Sequence, residues 1–396
     1  MIYNKQAHEL GSKRSAIREL FEYGKQRAAI VGAENVYDFS LGNPTVPAPD
    51  CVDETIRALT EELDCIKLHG YTSAQGDVEC RTAIAEFLNQ THGTHFDAND
   101  LYITMGAAAS LTIAFHALTT SKEDEFIAIA PFFPEYKVFV EGTGASLKVV
   151  PADTENFQID FDALENLINA NTKGVIINSP NNPSGAVYSP ATIEKLAALL
   201  TEKEKEFGHP IFIIADEPYR EIAYDGVEVP FVPKYYNNTL VCYSYSKSLS
   251  LPGERIGYIL VPQEAYESKA LYAVVAGAGR MLGYVCAPSM MQKVIARCQG
   301  QTGDVVLYKK NRDLLYEGLT KIGYQCFKPQ GAFYMFVKAL EEDANAFCER
   351  AKAEDLLIVS GDGFGCPGYV RISYCVDEDM IKRSFKAFEN LYESYK

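Results

Sequence analysis

Short apolar runs recur through the middle of the chain, and helical patterns lie between many of them. Several runs are apolar throughout instead of alternating, which is typical of strands covered on both faces. This alternation of strands and helices predicts a mostly parallel sheet in an α/β domain. Ligands bind beyond the carboxyl ends of the strands in such sheets, so the residues after each run are candidates for a functional site. The predicted strands are Leu101–Thr104, Phe126–Ile129, Val175–Ile177, Ile211–Ile214, Leu240–Tyr243 and Ile256–Leu260.

The two ends of the chain show a different pattern. A helix is predicted from a cap at Ser15 toward Val31. After about residue 288, helical segments are mixed with two further predicted strands, Ala332–Val337 and Tyr369–Ser373. No linker rich in Pro, Gly or Ser divides the 396 residues. We therefore expect a second, smaller α+β domain that is built from both chain ends.

Composition excludes several classes of partner. The 37 Lys and Arg residues against 53 Asp and Glu residues give a net charge of −16, which argues against nucleic acid. The N-terminal residues lack the apolar core of a signal peptide. The longest apolar runs, such as residues 126–133, are too short to cross a bilayer. Ten cysteines are scattered without a C-x-x-C pair or zinc-ligand spacing. We expect a cytoplasmic protein with no metal site and no membrane partner.

Small and polar residues follow two of the predicted strands. Gly106 and residues 107–109, all alanines, open a helix after the first strand. A helix N-terminus lined by small residues can bind an anion, although tight helix–sheet packing would explain the same residues. Asn182 lies in the proline-containing stretch 178–185 after the third strand. Its side chain can donate to a ring oxygen, or it can be an ordinary turn residue.

Charged residues follow the next two strands. Asp216 needs a partner if it is buried, and either a heterocyclic N–H⁺ or a salt bridge would serve. Lys247 can form a Schiff base if it is buried, whereas most lysines are simply exposed. Ser244, Ser246 and Arg255 can hold a phosphate. An anion site, a carboxylate, a ring-oxygen donor and an amine that follow different strands of one sheet are the groups that a pyridoxal phosphate (PLP) site needs.

The motifs that contain these residues resemble those of the class I and II aminotransferases, the aspartate-aminotransferase-like branch of fold type I PLP enzymes. The resemblance runs from about Asp38 to Tyr374 and follows the family's order and spacing. The motifs are Asn-Asn-Pro-Ser-Gly at 181–185, Asp-Glu-Pro-Tyr at 216–219, Ser-Tyr-Ser-Lys at 244–247 and Pro-Gly-Glu-Arg at 252–255.

The resemblance implies a particular α/β architecture. A large PLP-binding domain is expected over residues 44–285, with a mostly parallel, seven-stranded sheet flanked by helices. Residues 1–43 are expected to form an N-terminal arm and helix of the small domain. Residues 286–396 are expected to form the rest of that α+β domain.

The resemblance also implies roles for the cofactor residues. Lys247 matches the lysine that forms the Schiff base and moves the proton, and Asp216 matches the partner of the pyridine nitrogen. Asn182 and Tyr219 match the donors to the ring oxygen. The phosphate ligands match the side chains of Ser244, Ser246 and Arg255 and the backbone of Ala107 and Ala108. The segment 106–110 lacks the polar side chains that many members have there.

Further roles concern the ring, the substrate and the partner subunit. Phe133 matches the aromatic residue stacked on the pyridine, and Phe132 and Tyr136 leave that register open. Arg371 matches the arginine that binds the substrate α-carboxylate, together with Gly42 and Asn182. Tyr71 matches a catalytic tyrosine that reaches the phosphate of the neighbouring subunit. This last match implies a homodimer with shared active sites.

The expected function is transfer of an amino group between an L-amino acid and a 2-oxo acid by a ping-pong route. A carbon–sulfur β-lyase, or another fold type I PLP enzyme, would use the same residues and stays open as the alternative. A DNA-binding regulator with this fold is disfavoured because few residues precede Leu41 and the charge is acidic. Dicarboxylate-specific members place a second arginine where Met281 falls here, beside Arg280, so the substrate side chain also stays open.

Overall fold

The computed structural model describes residues 2–12 and 16–396. Ser15, the predicted helix cap, lies outside these residues. The α-helices are α1 (Lys5–Ser12), α2 (Ala16–Val31), α3 (Asp50–Glu62), α4 (Cys65–His69), α5 (Val78–His92), α6 (Ala107–Leu118), α7 (Glu135–Gly142), α8 (Phe161–Leu167), α9 (Pro190–Phe207), α10 (Tyr245–Ser248), α11 (Ser268–Met281), α12 (Ser289–Arg297), α13 (Val305–Ile322), α14 (Ala344–Ala353) and α15 (Glu378–Glu393). The strands are β1 (Tyr37–Asp38), β2 (Leu101–Thr104), β3 (Glu125–Ile129), β4 (Ser146–Val150), β5 (Thr172–Asn178), β6 (Phe212–Asp216), β7 (Thr239–Ser244), β8 (Gly257–Leu260), β9 (Tyr334–Lys338), β10 (Leu356–Leu357), β11 (Val359–Ser360) and β12 (Tyr369–Ser373).

The chain divides into two compact units. The large unit comprises Val46–Val305 together with the three residues Gln330–Ala332. The small unit comprises the chain up to Thr45, Val306–Pro329 and Phe333–Lys396. The smaller unit is thus built from both chain ends.

A seven-stranded sheet forms the centre of the large unit, in the order β2-β8-β7-β6-β5-β3-β4. The strands β7, β6, β5, β3 and β4 pair in parallel, and β8 is antiparallel to both of its neighbours. This confirms the predicted α/β fold with a mostly parallel sheet.

Alternate residues of the strands enter two different apolar clusters. Ile127 and Ile129 of β3 belong to one cluster, and Phe126 and Ala128 belong to the other. Helices cover both faces, since α5 and α12 contribute to the first cluster and α6 and α11 to the second. This burial on both sides is the reason why these strands are apolar throughout.

All six runs predicted in the middle of the chain overlap strands of this sheet. The edge strand β4 was not predicted. Four of its five residues are only half-buried or exposed, and Lys148 lies at its centre. An edge strand of this kind lacks the continuous apolar run that identified its neighbours.

The small unit contains an antiparallel sheet in the order β11-β12-β9 and a parallel pair, β1 with β10. The predicted strand over 369–373 is β12, and the run 332–337 overlaps β9. An apolar cluster that includes Leu20, Val36, Leu357 and Phe364 packs α2 against this part of the chain.

The division into compact units differs from the expected boundary at residue 285. The large unit continues to Val305, because α12 buries Met291, Val294 and Ile295 in the same cluster as α3 and α5. The amphipathic pattern of α12 predicts a buried face but does not tell which core that face enters.

Across residues 2–12 and 16–396, no helix combines the length and apolar character that a membrane span requires. The same residues contain no cluster of three or more His, Cys, Asp or Glu side chains that would hold a metal ion.

Candidate active site

The ends of several strands meet at one edge of the large sheet. The register pairs Asn178, the last residue of β5, with Asp216, the last residue of β6. Gly257 at the start of β8 pairs with Thr104 at the end of β2 and with Ser244 at the end of β7. The structure therefore brings the residues that follow four predicted strands to the same edge.

Asp216 is a buried carboxylate with one oxygen occupied. The Tyr136 hydroxyl donates to Asp216 Oδ2 at 2.6 Å. Asp216 Oδ1 is buried and accepts no hydrogen bond from any described residue. Burial raises the pKa of Asp216 to about 7, the bond from Tyr136 opposes this rise, and the charge of Glu217 adds to it. A cationic N–H donor at Oδ1 would stabilise the ionised form of this carboxylate.

Asn178 connects two of the candidate residues. Its Nδ2 donates to the backbone oxygen of Asp216 at 2.8 Å, and its Oδ1 accepts from the backbone N–H of Asn182 at 2.7 Å. Asn182 and Tyr219 are both buried. The amide of Asn178 thus fixes the backbone that carries Asn182 against the end of β6.

A site suited to an anion lies at the start of α6. Gly106 precedes this helix with φ 87° and ψ 172°, and no side chain caps the helix. Ala107 is half-buried and Ala108 is exposed, so the first backbone N–H groups can be reached by a ligand. A Cβ on Gly106 would lie 2.9 Å from Nη2 of Arg255, which puts a guanidinium beside the helix N-terminus. This combination of a helix N-terminus and an arginine favours a phosphate.

Ser244, Ser246 and Lys247 lie next to this anion site. The two serine Oγ atoms are 2.7 Å apart, and Ser244 Oγ accepts from the Ser246 N–H at 3.1 Å. This bond caps α10, the short helix that carries the half-buried Lys247. A Cβ on Gly257 would lie 3.2 Å from the Cα atoms of both Gly106 and Ser244. The serines and the start of α6 are therefore neighbours.

Three aromatic residues are candidates for the position that stacks on the pyridine ring. The hydroxyl of Tyr136 donates a hydrogen bond to Asp216. Phe132 is buried, and its ring centroid lies 6.4 Å from that of Tyr136. Phe133 is half-buried and meets Tyr136 edge-on at 5.7 Å. Phe133 therefore keeps a partly open ring, as the stacking role requires.

Arg371 and Gly42, the predicted carboxylate ligands, both belong to the small unit. Arg371 on β12 is 2% exposed, and its Nη2 donates to the backbone oxygen of Ser40 at 2.6 Å. Its guanidinium lies over the rings of Tyr334 at 4.7 Å and Phe364 at 5.0 Å. A Cβ on Gly42 would overlap the Tyr334 hydroxyl. Arg371 is thus a buried, oriented cation and not a surface arginine on a strand.

Tyr71 differs from the other candidates because it is 97% exposed. The structure does not bring it into contact with the phosphate candidates of its own chain. Met281 is 84% exposed at the end of α11, and Arg280 before it is also exposed.

Sequence reasoning gave no role to Tyr136 or Asn178. Tyr136 was noted only as an alternative ring for stacking. Its bond to Asp216 joins residues 80 positions apart, so no local pattern signals it. Asn178 begins the proline-containing stretch 178–185, and its position at the end of a buried apolar strand is the signal by which the sequence could identify it.

The comparisons with known proteins agree on one family. The sequence matches aminotransferase class I and II over residues 34–388. A probable aspartate/prephenate aminotransferase of Aquifex aeolicus is 30% identical, with 90% of this chain and 92% of that protein covered. A probable N-acetyl-LL-diaminopimelate aminotransferase of Bacillus subtilis is 28% identical, with 90% and 89% covered.

Solved structures show the same relationship. A crystal structure of an amino transferase from Eubacterium rectale is 72% identical and covers 100% of both chains, with a TM-score of 0.99. An aspartate aminotransferase from Thermotoga maritima is 26% identical, with 98% of this chain and 99% of that chain covered and a TM-score of 0.86. A family match over this span, on the fold and residues described above, means that the chain belongs to the class I and II aminotransferases.

Proposed function

We propose that this aminotransferase binds PLP at the edge of the large sheet and transfers the amino group of an L-amino acid to a 2-oxo acid by a ping-pong route. The observation that carries the proposal is the buried, unpartnered Oδ1 of Asp216 on the same sheet edge as Lys247. A protonated pyridine nitrogen is the kind of donor that this oxygen lacks.

The remaining side chains fit the rest of that cofactor. Asn182 and Tyr219 are suited to its ring oxygen, and Phe133 is suited to its ring face. The phosphate would be held by the backbone of Ala107 and Ala108 and by three side chains. These three are Ser244, Ser246 and Arg255.

When bound, PLP supplies an electron sink for negative charge that develops at the substrate Cα. Lys247 would hold the cofactor through its Nζ, and the same amine is suited to take the proton from the substrate Cα. Asp216, kept ionised by Tyr136 and by a cationic partner, stabilises positive charge at the ring nitrogen. Arg371 would bind the substrate carboxylate as a rigid fork and so orient the substrate Cα, and Gly42 and Asn182 are proposed as further ligands of that carboxylate.

We also propose that the enzyme is a homodimer in which Tyr71 of one subunit reaches the phosphate of the other. Three large apolar side chains of the large unit are strongly exposed. Ile66 is 84% exposed, Tyr71 is 97% exposed and Met281 is 84% exposed. Two contacts join the segments that carry these residues. Ser289 Oγ donates to Leu68 O at 2.8 Å, and Cys286 Sγ lies 3.3 Å from Thr72 O. An apolar surface of this kind favours association with a second copy.

The first test is a substrate panel on the purified protein loaded with PLP. L-Aspartate, L-alanine, an aromatic amino acid, L-lysine and L-cystathionine are each mixed with the enzyme, with and without 2-oxoglutarate. We expect glutamate only when 2-oxoglutarate is present, and the active donor identifies the substrate. Ammonia and pyruvate formed without an acceptor would instead establish the β-lyase alternative.

The role of Lys247 has its own test. Lys247→Ala should lower kcat/KM by at least about a thousandfold while PLP still binds through its other contacts. Lys234→Ala, at an exposed lysine of the same unit, is the control and should keep its rate. Turnover that survives in Lys247→Ala would exclude this mechanism.

A further inference from the structure

We infer that Gln330 and Gly331 are positioning residues that hold two loops of the candidate site together: residues 178–188, which carry Asn182, and residues 217–224, which carry Tyr219. This inference rests on the proposed function, because it concerns the two donors to the ring oxygen. Neither residue was singled out in the sequence.

The chain enters the large unit at this point for three residues only. Gln330–Ala332 belong to the large unit, whereas Pro329 and Phe333 on either side belong to the small one. We call these three residues the clasp. Three residues are too few to form a hydrophobic core of their own, so the position of the clasp is explained by its contacts with the two loops.

The clasp is bonded to the first loop at three points. The backbone N–H groups of Gln330 and Gly331 both donate to the carbonyl of Gly185, at 2.8 and 3.0 Å. The side-chain Oε1 of Gln330 accepts from the N–H of Val187 at 3.0 Å. Gly185 and Val187 follow Asn182 within the same loop, whose other end is fixed by Asn178.

The clasp is bonded to the second loop as well. The carbonyl of Gln330 accepts from the N–H of Tyr224 at 2.9 Å, and the N–H of Ala332 donates to the carbonyl of Ile222 at 2.8 Å. The N–H of Ile222 in turn donates to the carbonyl of Tyr219 at 2.8 Å. One residue, Gln330, thus reaches both loops through its own backbone and side chain.

Gly331 lies where the two loops are closest to the clasp. A Cβ added there would lie 2.6 Å from the carbonyl oxygen of Ile222 and 2.7 Å from the ring of Pro180. Both neighbours would have to move, and they belong to different loops. An alanine at this position would therefore push the two loops apart.

Asn182 and Tyr219 lie in loops that follow separate strands, β5 and β6, so the sheet alone does not fix the distance between the two donors. Asn178 holds the start of the first loop, and the bonds from the clasp add the constraint at its other end. Gln330 is not expected to touch substrate or cofactor. It acts by setting where the two donors point, and donors to the ring oxygen favour its anionic form.

The test measures the pH midpoint of the visible absorption of the PLP-loaded enzyme. Gln330→Leu keeps the backbone bonds and removes the acceptor for Val187, so the midpoint should rise by about half to one pH unit. Gln330→Glu keeps an oxygen acceptor and should restore most of the wild-type midpoint. Gly331→Ala should shift the midpoint at least as far as Gln330→Leu does. Amide hydrogen exchange should become faster at Val187 in Gln330→Leu.

Gln158 provides a matched control. It is also half-buried, and its Nε2 donates to the carbonyl of the same Val187 at 3.1 Å, but its other bond goes to Thr192 on α9 and not to the second loop. Gln158→Leu should leave the midpoint unchanged.

Two outcomes separate this inference from the proposed function. If wild type shows no visible absorption that changes with Lys247→Ala, the proposed function fails and the inference fails with it. If wild type titrates and Gln330→Leu folds with an unchanged midpoint, only the inference is overturned. An equal shift in Gln158→Leu would also overturn it, because the effect would then reflect general loosening of the first loop.

Discussion

At the scale of single residues, the site depends on how the charge of the buried Asp216 carboxylate is stabilised. Burial raises its pKa, and the short bond of 2.6 Å from the Tyr136 hydroxyl works against this rise. Removing the hydroxyl in Tyr136→Phe leaves the ring in place but raises the pKa of Asp216 further. A bond to a charged group has an effect of about 1.5–3 kcal/mol, so we expect kcat/KM to fall by about tenfold or more.

Steady-state kinetics with the identified donor checks this prediction. Tyr236→Phe is the control, because Tyr236 is another buried tyrosine of the large unit, lies in its apolar cluster and donates its hydroxyl to Glu204 and not to Asp216. Equal losses in the two variants would mean that the rate follows core packing and not the Asp216 carboxylate.

The raised pKa of Asp216 also has a consequence for stability. The folded apoprotein holds a proton on Asp216 up to pH about 7, whereas the unfolded chain loses it near 3.8. The contribution to the free energy of unfolding is therefore fully present below pH about 3.8 and is lost as the pH rises toward 7. Between pH 5 and pH 7 this loss is of the order of 2–3 kcal/mol.

Urea unfolding of the apoprotein at the two pH values tests this contribution. Asp216→Asn removes the titration, so wild type should lose more stability than the variant over the interval, while other buried carboxylates cancel in the comparison. Identical pH dependence of the two proteins would contradict an apoprotein Asp216 with a raised pKa.

At the scale of elements, the sequence predicts the parts of the site that follow strands and misses those that arise from packing. The strand β6 could be located because both of its faces are apolar, and Asp216 then followed at its end. The contact of Tyr136 with Asp216 joins residues 80 positions apart and arises only when the chain folds. The contact of Gln330 with Val187 joins residues 143 positions apart and arises in the same way. The place of α12 in the large unit is likewise a tertiary property, because its amphipathic sequence does not tell which of two cores it enters.

The start of α6 gives a prediction at this scale. Gly106 adopts a backbone region that is nearly exclusive to glycine, and a Cβ there would displace the guanidinium of Arg255. Gly106→Ala should cost about 1–3 kcal/mol of stability and should weaken PLP binding by about tenfold or more. Gly32→Ala is the control, because Gly32 has a similar backbone (φ 91°, ψ 139°) but its Cβ would meet only the end of the Glu34 side chain.

Equilibrium dialysis of PLP against the two apoproteins separates these effects. Both variants should be less stable, and only Gly106→Ala should bind PLP more weakly. Unchanged PLP affinity in a folded Gly106→Ala protein would remove Arg255 and the start of α6 from the proposed phosphate site.

At the scale of the whole molecule, the proposed homodimer would place the exposed Tyr71 of one subunit at the phosphate site of the other. That arrangement makes a specific prediction about mixtures of two defective variants. A Lys247→Ala chain has no amine but keeps Tyr71, and a Tyr71→Ala chain keeps the amine but offers no tyrosine to its partner. In a mixed dimer, one of the two sites has both groups intact.

Unfolding and refolding equal amounts of the two variants together should therefore restore about a quarter of the wild-type rate, since half of the dimers are mixed and half of their sites are complete. Each variant refolded alone should stay near its own low rate. Sedimentation of the mixture reports whether dimers have formed. Dimers without recovered activity would mean that Tyr71 acts within its own chain, because a tyrosine shared between subunits must complement a missing lysine in the other chain. A Tyr71→Ala protein that keeps the wild-type rate when refolded alone would mean that Tyr71 has no role in turnover.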